Sequence, residues 1–371
     1  MKSGKIDKLF LISVIILIIA GFFIFSSASL GLLAKNNTGY SSIVFNQTFY
    51  GLFLGTILLV IFSRVPYTFW KKNAFYIFLF SLALSILVFI PHIGFSHGGA
   101  RRWVIIAGHS FQPSEILKVG YIIYFAAWLS GIKDRVRTLK YGLIPFIIIL
   151  GMAGGILLLQ PDLDTFLVLG LSGLSMFLVA GAKWRHAFLL LIMAVLAVGV
   201  MAYTKPYIKS RIMTFLNPSV NSLSSSYQIQ QSLIAIGSGK LTGRGFGQSV
   251  QKFSYLPEQI GDSIFAVAAE EFGLIGSSLL IMLYIFFAYR GFKISTKTPD
   301  AFGGLLVVGI VILIVSQSLN NISAMLGVTP LSGNPLLFVS QGGTALMITL
   351  AEVGIILNVS KFKKLKTSTN S

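Results

Sequence analysis

The sequence predicts an all-α polytopic membrane protein: ten transmembrane helices, both termini cytoplasmic, and a long extracytoplasmic loop between helices 7 and 8. Three observations carry this reading. Hydrophobic residues make up 55% of the 371-residue chain and charged residues only 11%, with a mean hydropathy of +0.83. A soluble domain carries roughly 25% charged residues, so this chain cannot cover itself with a polar surface. Ten apolar runs approach the ~20 residues that a helix needs to cross hydrocarbon. Alternating strand-length patterns are absent, which speaks against an outer-membrane barrel.

The first run, 8–28, follows Lys2, Lys5 and Lys8. A basic start, an apolar run and small residues also describe a signal peptide. This run is longer than the usual apolar region of roughly 7–15 residues and nine more follow, so an uncleaved first helix is expected. The others lie near 45–64, 73–91, 114–132, 141–160, 163–182, 185–204, 262–289, 301–320 and 335–358. Cations set their orientation. With the N-terminus inside, inner segments hold Lys2, Lys5, Lys8, Arg64, Lys71, Lys72, Lys133, Arg135, Arg137, Lys140, Lys183, Arg185, Arg290, Lys293, Lys297, Lys361, Lys363, Lys364 and Lys366. The four short outer loops hold only Lys35, Arg101 and Arg102. This positive-inside bias absorbs most of the net charge of +18, and no nucleic-acid partner is expected. Residues 1–371 read as one membrane domain, with 205–261 as a large outer loop and 361–371 as a basic cytoplasmic tail. Without cysteine, neither disulfides nor thiolate metal sites hold the loops together.

Seven of the 11 acidic residues gather at the outer ends of helices: Glu115, Asp162, Asp164, Glu258, Asp262, Glu270 and Glu271. Asp7, Asp134 and Asp300 are inner, and Glu352 sits inside the last helix without a partner that the sequence names. Arg101, Arg102, Lys118, Lys205, Lys209, Arg211, Lys240, Arg244 and Lys252 share the outer side. Ionisable groups near hydrocarbon are costly and face a cavity or each other; an outward-facing polar cavity accounts for this distribution. Three outer segments build it: 92–113, the turn "QPDLDT" at 160–165, and 205–261, whose interspersed apolar residues suit packing on the membrane surface.

Asp262 opens the eighth helix, either as a cap or as a group facing the cavity. Glu258 fits an ion pair with Arg244 or Lys252, or a place in the site. Adjacent Glu270 and Glu271 point in different directions around one helix, and at least one requires a partner, since a lone buried charge would be neutralised or expelled. Glu115 and Lys118 have i,i+3 spacing suited to a salt bridge; they satisfy one another, or Lys118 also meets an anionic substrate. In "GGARRW", Arg101 and Arg102 suit phosphate oxygens or lipid headgroups. "GKLTGRGFG" lacks the spacing of a phosphate loop. The four histidines show no paired-ligand spacing, and no zinc site is expected.

Taken together, "GARRWV", "SFQPSEILK", "QPDLDT", "YQIQQSLIAIGSGKLTGRGFGQSVQKFSYLPE", "DSIFAVAAEEFGLIG" and "NISAMLGVTPLSGNPLLFVSQGGTAL" resemble the SEDS family (shape, elongation, division and sporulation) of peptidoglycan glycosyltransferases. The likeness spans about 8–358, and its wording is closer to the FtsW-like division branch than to the RodA-like elongation branch. The resemblance implies polymerisation of lipid II at the outer leaflet beside a class B penicillin-binding protein and other division proteins. Asp262 then matches the residue that the family needs for polymerisation. One inverting displacement takes the α-linked donor to a β-1,4 bond, with Asp262 as base. Arg101, Arg102, Lys118, Arg211 and Lys240 are candidates for the diphosphate, Glu115 and Glu258 line the same site, and a divalent cation (Mg or Mn) is a possible addition. Asp164 stands where the family has Gly, Gln259, Ile260, Gly261 and Ser263 change the surroundings of Asp262, and Gln341 replaces a Tyr. A lipid II transporter and a non-catalytic division scaffold fit the same charges.

Overall fold

The computed structural model describes residues 4–33, 40–97, 100–106, 109–216, 225–253 and 255–362. Lys2, Lys35, the two glycines before Ala100 and the tail beyond 362 lie outside the described residues. Helices occupy the apolar runs: α1 (Lys8–Leu33), α2 (Tyr40–Arg64), a short α3 (Tyr67–Lys72), α4 (Ala74–Phe89), α5 (Pro113–Ile132), α6 (Leu139–Leu159), α7 (Leu163–Val179) and α8 (Trp184–Thr204). Beyond these come α9 (Pro206–Leu216), α10 (Ser225–Ser238), α11 (Ile264–Lys297), α12 (Ala301–Met325) and α13 (Gly343–Ser360). Eight helices among the described residues are long and apolar enough to cross a membrane, and α4 and α7 are shorter apolar helices. The protein is an α-helical, multi-pass membrane protein.

Burial sorts the helices into layers. α12 and α13 form the centre: Leu306, Val307, Ile310 and Val311 of α12 and Val353, Ile355 and Ile356 of α13 have no exposed surface. α8 lies at the periphery, where Phe188, Leu191, Val195, Leu196 and Val200 face outward. Apolar exposure costs nothing in lipid, where close packing and interhelical hydrogen bonds hold helices together instead. Near the N-terminus, Arg290 of α11 donates from Nη2 to both carboxylate oxygens of Asp7, at 2.7 and 2.6 Å. Tyr67 donates to Asp300 at 2.6 Å.

The structure departs from the expected all-α architecture in three places. The segment before α5 forms a three-stranded antiparallel sheet, β1 (Gly94–His97), β2 (Ala100–Ile106) and β3 (His109–Phe111), in the order β1-β2-β3. Val104 pairs with Gly94 on one side and Phe111 on the other. The last helix starts at Gly343 rather than near 335; residues 335–342 instead run through turns that bring Gln341 N to the Ile260 carbonyl at 2.7 Å. Finally, α11 is broken at Gly273, whose φ of 65° and ψ of −165° leave the helical region. That backbone suits glycine, and a Cβ there would stand 2.3 Å from Gly243 N.

The break receives part of the segment between α10 and α11. Leu274 and Ile275 donate their amides to the Lys240 and Leu241 carbonyls at 2.9 and 3.1 Å. The carbonyls of Glu270 and Glu271, freed by the break, accept from Arg244 N and Gly245 N, each at 3.0 Å. In hydrocarbon every backbone group needs a partner, and residues 240–245 supply the partners that a straight helix would have supplied.

Candidate functional site

The site grows from the start of α7. Arg102 projects from β2, half-buried, and donates from Nε to the Gln160 carbonyl at 3.2 Å and from Nη2 to the Pro161 carbonyl. Its Nη1 lies 3.6 Å from Asp162 Oδ1. Asp162 caps α7, accepting from Thr165 N at 3.3 Å, while its buried Oδ2 has no hydrogen-bond partner among the described residues. Burial pushes the Asp162 carboxyl up, against the pull of Arg102. Two residues on, Asp164 Oδ2 accepts from Arg211 Nη1 of α9 at 2.7 Å and from Gly333 N at 3.0 Å.

Gly333 marks where these groups meet. A point one Cβ bond from its Cα lies 3.6 Å from Arg102 Nη1, 3.8 Å from Arg211 Nη2 and 3.9 Å from Asp164 Oδ2. Two guanidiniums from elements more than a hundred residues apart therefore converge on one spot. The next residue, Asn334, ties this spot to Asp262, because Asn321 Nδ2 of α12 donates to the Asp262 carbonyl at 2.9 Å and to the Asn334 carbonyl at 3.0 Å. Thr165 Oγ1 donates to Asn334 Oδ1 at 3.2 Å.

Asp262 occupies the turn before α11 and is half-buried. It does not cap the helix: the residue at the cap position is Ser263, whose side chain makes no capping bond. Burial and the nearby Glu258 and Asp164 carboxylates push the Asp262 carboxyl up to about 7, while Arg211 and Arg102 hold it down. The Tyr207 hydroxyl, also without a partner among the described residues, is within electrostatic reach of Arg211, Arg102, Asp164 and Asp162, and burial raises it. Buried polar atoms without partners concentrate here, including Asn334 Nδ2, Asn321 Oδ1 and Ser332 Oγ. Such groups are costly unless something completes them. Below lies a cavity of about 310 Å³ lined by Asp164, Arg211, Leu167, Val198, Asn320 and Leu331, charged at one end and largely apolar.

The other expected residues divide. Glu115 and Lys118 form the i,i+3 pair at 2.9 Å, both buried, and Lys118 also donates to Gln317 Oε1 at 2.7 Å. Glu352, buried in α13, has Lys118 and Glu115 as its charged neighbours, and its Oε1 has no partner among the described residues. Arg101 is exposed on β2. Lys240 lines a second cavity with Phe265, Ala269 and Gly273 beside the helix break, apart from the group at Gly333. Glu258 is exposed and does not pair with Arg244 or Lys252. Those cations take the deeper carboxylates instead: Arg244 meets Glu270 at 3.3 Å, and fully buried Lys252 meets Glu271 at 2.7 Å. A buried charge demands a partner more strongly than an exposed one, so both glutamates are satisfied and Glu258 is left in water. Asn321 and Asn334 were not anticipated; adjacent asparagines ending an apolar run were the available signal. Among the described residues, no three His, Asp or Glu side chains are placed to share a metal ion.

In this polytopic helical protein, the guanidiniums of Arg102 and Arg211 converge beside the buried carboxylate of Asp162. The chain belongs to the FtsW/RodA/SpoVE family of cell cycle proteins, whose family model matches residues 7–365. It is 36% identical to stage V sporulation protein E of Bacillus subtilis, over 84% of this chain and 85% of that protein. It is 34% identical to the probable peptidoglycan glycosyltransferase FtsW of Geobacter sp. (strain M18), over 95% and 96% of the two chains. The rod shape determining protein RodA of Thermus thermophilus superposes with a TM-score of 0.67 at 26% identity, covering 94% of this chain and 97% of that one. A chain from a peptidoglycan synthase complex that coordinates polymerisation and crosslinking superposes with a TM-score of 0.73 at 27% identity, covering 92% and 96%.

Proposed function

We propose that this protein is a peptidoglycan glycosyltransferase that polymerises lipid II into glycan strands at the outer face of the bacterial cytoplasmic membrane. It acts at the division septum beside a class B penicillin-binding protein, as one membrane domain with ten crossings, cytoplasmic termini and an outer loop over 205–261. The single observation that carries the reaction is the convergence of Arg102 and Arg211 at Gly333, one residue from the carbonyl that shares Asn321 with Asp262. The names of the similar proteins support peptidoglycan glycosyl transfer and an association with a crosslinking activity.

In the proposed step, an acceptor sugar hydroxyl attacks the anomeric carbon of the donor. The new C–O bond forms as the bond to the lipid diphosphate breaks, inverting that carbon. Asp262 takes the hydroxyl proton, and the electron pair leaves on the diphosphate. A base poised near 7 suits this work, since general bases are most effective near the operating pH and contribute about 10²–10⁴-fold. Arg102 and Arg211 offset the charge that develops on the leaving oxygens, and Glu258 acts on Asp262 through its field. The buried Glu115–Lys118 pair serves the framework, and exposed Arg101 and Lys240 take no step. A divalent cation (Mg or Mn) at the diphosphate would add charge neutralisation to that of the two guanidiniums.

The test is glycan polymerisation from purified lipid II in detergent, with a class B partner present, comparing the wild type with Asp262→Asn. Detergent removes any need for transport. Long strands from the wild type and none from a folded variant support the base; equal strands from both sink it. No strands from either, with the partner complex intact, favours the transporter or scaffold.

A further inference from the structure

Asp164 links its own helix to two other parts of the chain. It stands in the first turn of α7, accepts from Arg211 of α9 at 2.7 Å and accepts from the backbone of Gly333 at 3.0 Å. Arginine presents five donors in a rigid fork; Asp164 occupies Nη1, while Nη2 stays 3.8 Å from the convergence point at Gly333. Without that anchor, a long side chain 30% exposed would be free to swing into solvent.

We infer that Asp164 is a positioning residue for glycosyl transfer: it orients Arg211 towards the leaving diphosphate and sets the field in which Asp262 accepts its proton. This rests on the reading of Asp262 as the base. The charged groups bearing on Asp262 are Glu258 from its own turn, Asp164 from α7, Arg211 from α9 and Arg102 from β2. Asp164 therefore acts twice. Its own charge disfavours the carboxylate form of Asp262, and by pairing with Arg211 it neutralises part of the guanidinium charge that favours that form. Both effects raise the pH at which Asp262 becomes a base, so removing the charge at 164 lowers it.

The experiment is the pH dependence of kcat/KM for polymerisation of purified lipid II by the full chain with its class B partner. Asp164→Asn keeps an oxygen for Gly333 N–H and loses only the charge. Its acid limb is expected to move down by ~0.5 pH unit or more, and Asp164→Glu, which keeps the charge, should return it towards the wild-type position. Arg211→Gln should move the limb the opposite way and carries the test if Asp164→Asn does not fold. A limb that stays put while activity falls equally at every pH would make Asp164 structural and overturn the inference. If the limb is unmoved by Asp164→Asn, yet activity is lost in Asp262→Asn, the inference alone fails. Undiminished activity in Asp262→Asn removes the base reading instead.

Discussion

At the scale of single residues, the site shows how little separates a structural carboxylate from a reactive one. Glu270 and Glu271 lie deeper than Asp262, yet each has a cation beside it: Arg244 meets Glu270 at 3.3 Å, with Ser249 Oγ also donating at 2.6 Å, and Lys252 and Ser27 both reach Glu271 Oε1. Asp262 is half-buried without an ion pair among the described residues, and its neighbours include two carboxylates as well as two guanidiniums. Glu258 is the largest of its charged perturbers. A negative neighbour disfavours a second negative charge, so Glu258→Gln should lower the pH at which Asp262 ionises and raise the relative polymerisation rate at acidic pH. A pH–rate profile checks this, and an acid limb moving upward would contradict it. Because Glu258 is exposed, salt should weaken its effect.

At the scale of elements, α11 and the segment 239–253 are one unit. Lys252 contacts Glu271, Ser27 and the Gly247 carbonyl with no exposed surface, and so joins the loop to α1 and α11 at once. Removing one member of a buried pair leaves the other charge stranded, at a cost of about 3–5 kcal/mol, whereas replacing both by apolar groups is often tolerated. Lys252→Met should therefore lower the thermal midpoint in detergent sharply, and Lys252→Met with Glu271→Leu should recover part of the loss. A double variant worse than the single would show that Glu271 matters mainly through Ser27 and the Ser249 amide, its other partners.

At the scale of the whole molecule, the apolar runs were legible because a bilayer imposes a length, and the helices occupy the places that those runs predict, except that the last begins later, at Gly343. Glu115 and Lys118 were legible as a pair because helical spacing fixes their distance. The break at Gly273 was not, since a glycine inside an apolar run reads as a small packing residue until the loop that fills it is known. Nor was the partner choice of Lys252 and Arg244, which depends on depth rather than on separation in sequence. The sheet before α5 left a faint trace, two glycines between short apolar stretches, which is a hairpin signal. Topology is open to direct test because the chain has no cysteine. A single Tyr255→Cys should react with a membrane-impermeant maleimide on intact, permeabilised-outer-envelope cells, whereas Arg135→Cys and Lys293→Cys should react only after lysis. The reverse pattern would invert the orientation.

The splice at Gly273 gives the protein a built-in isotopic reporter. The amides of Leu274 and Ile275 lie within a membrane-crossing helix but bond to the outer segment rather than to their own helix. Their exchange with deuterated solvent therefore follows detachment of that segment, while amides a turn further along α11 follow helix opening. Two neighbouring sites in one helix thus keep separate clocks, one for the loop and one for the membrane domain.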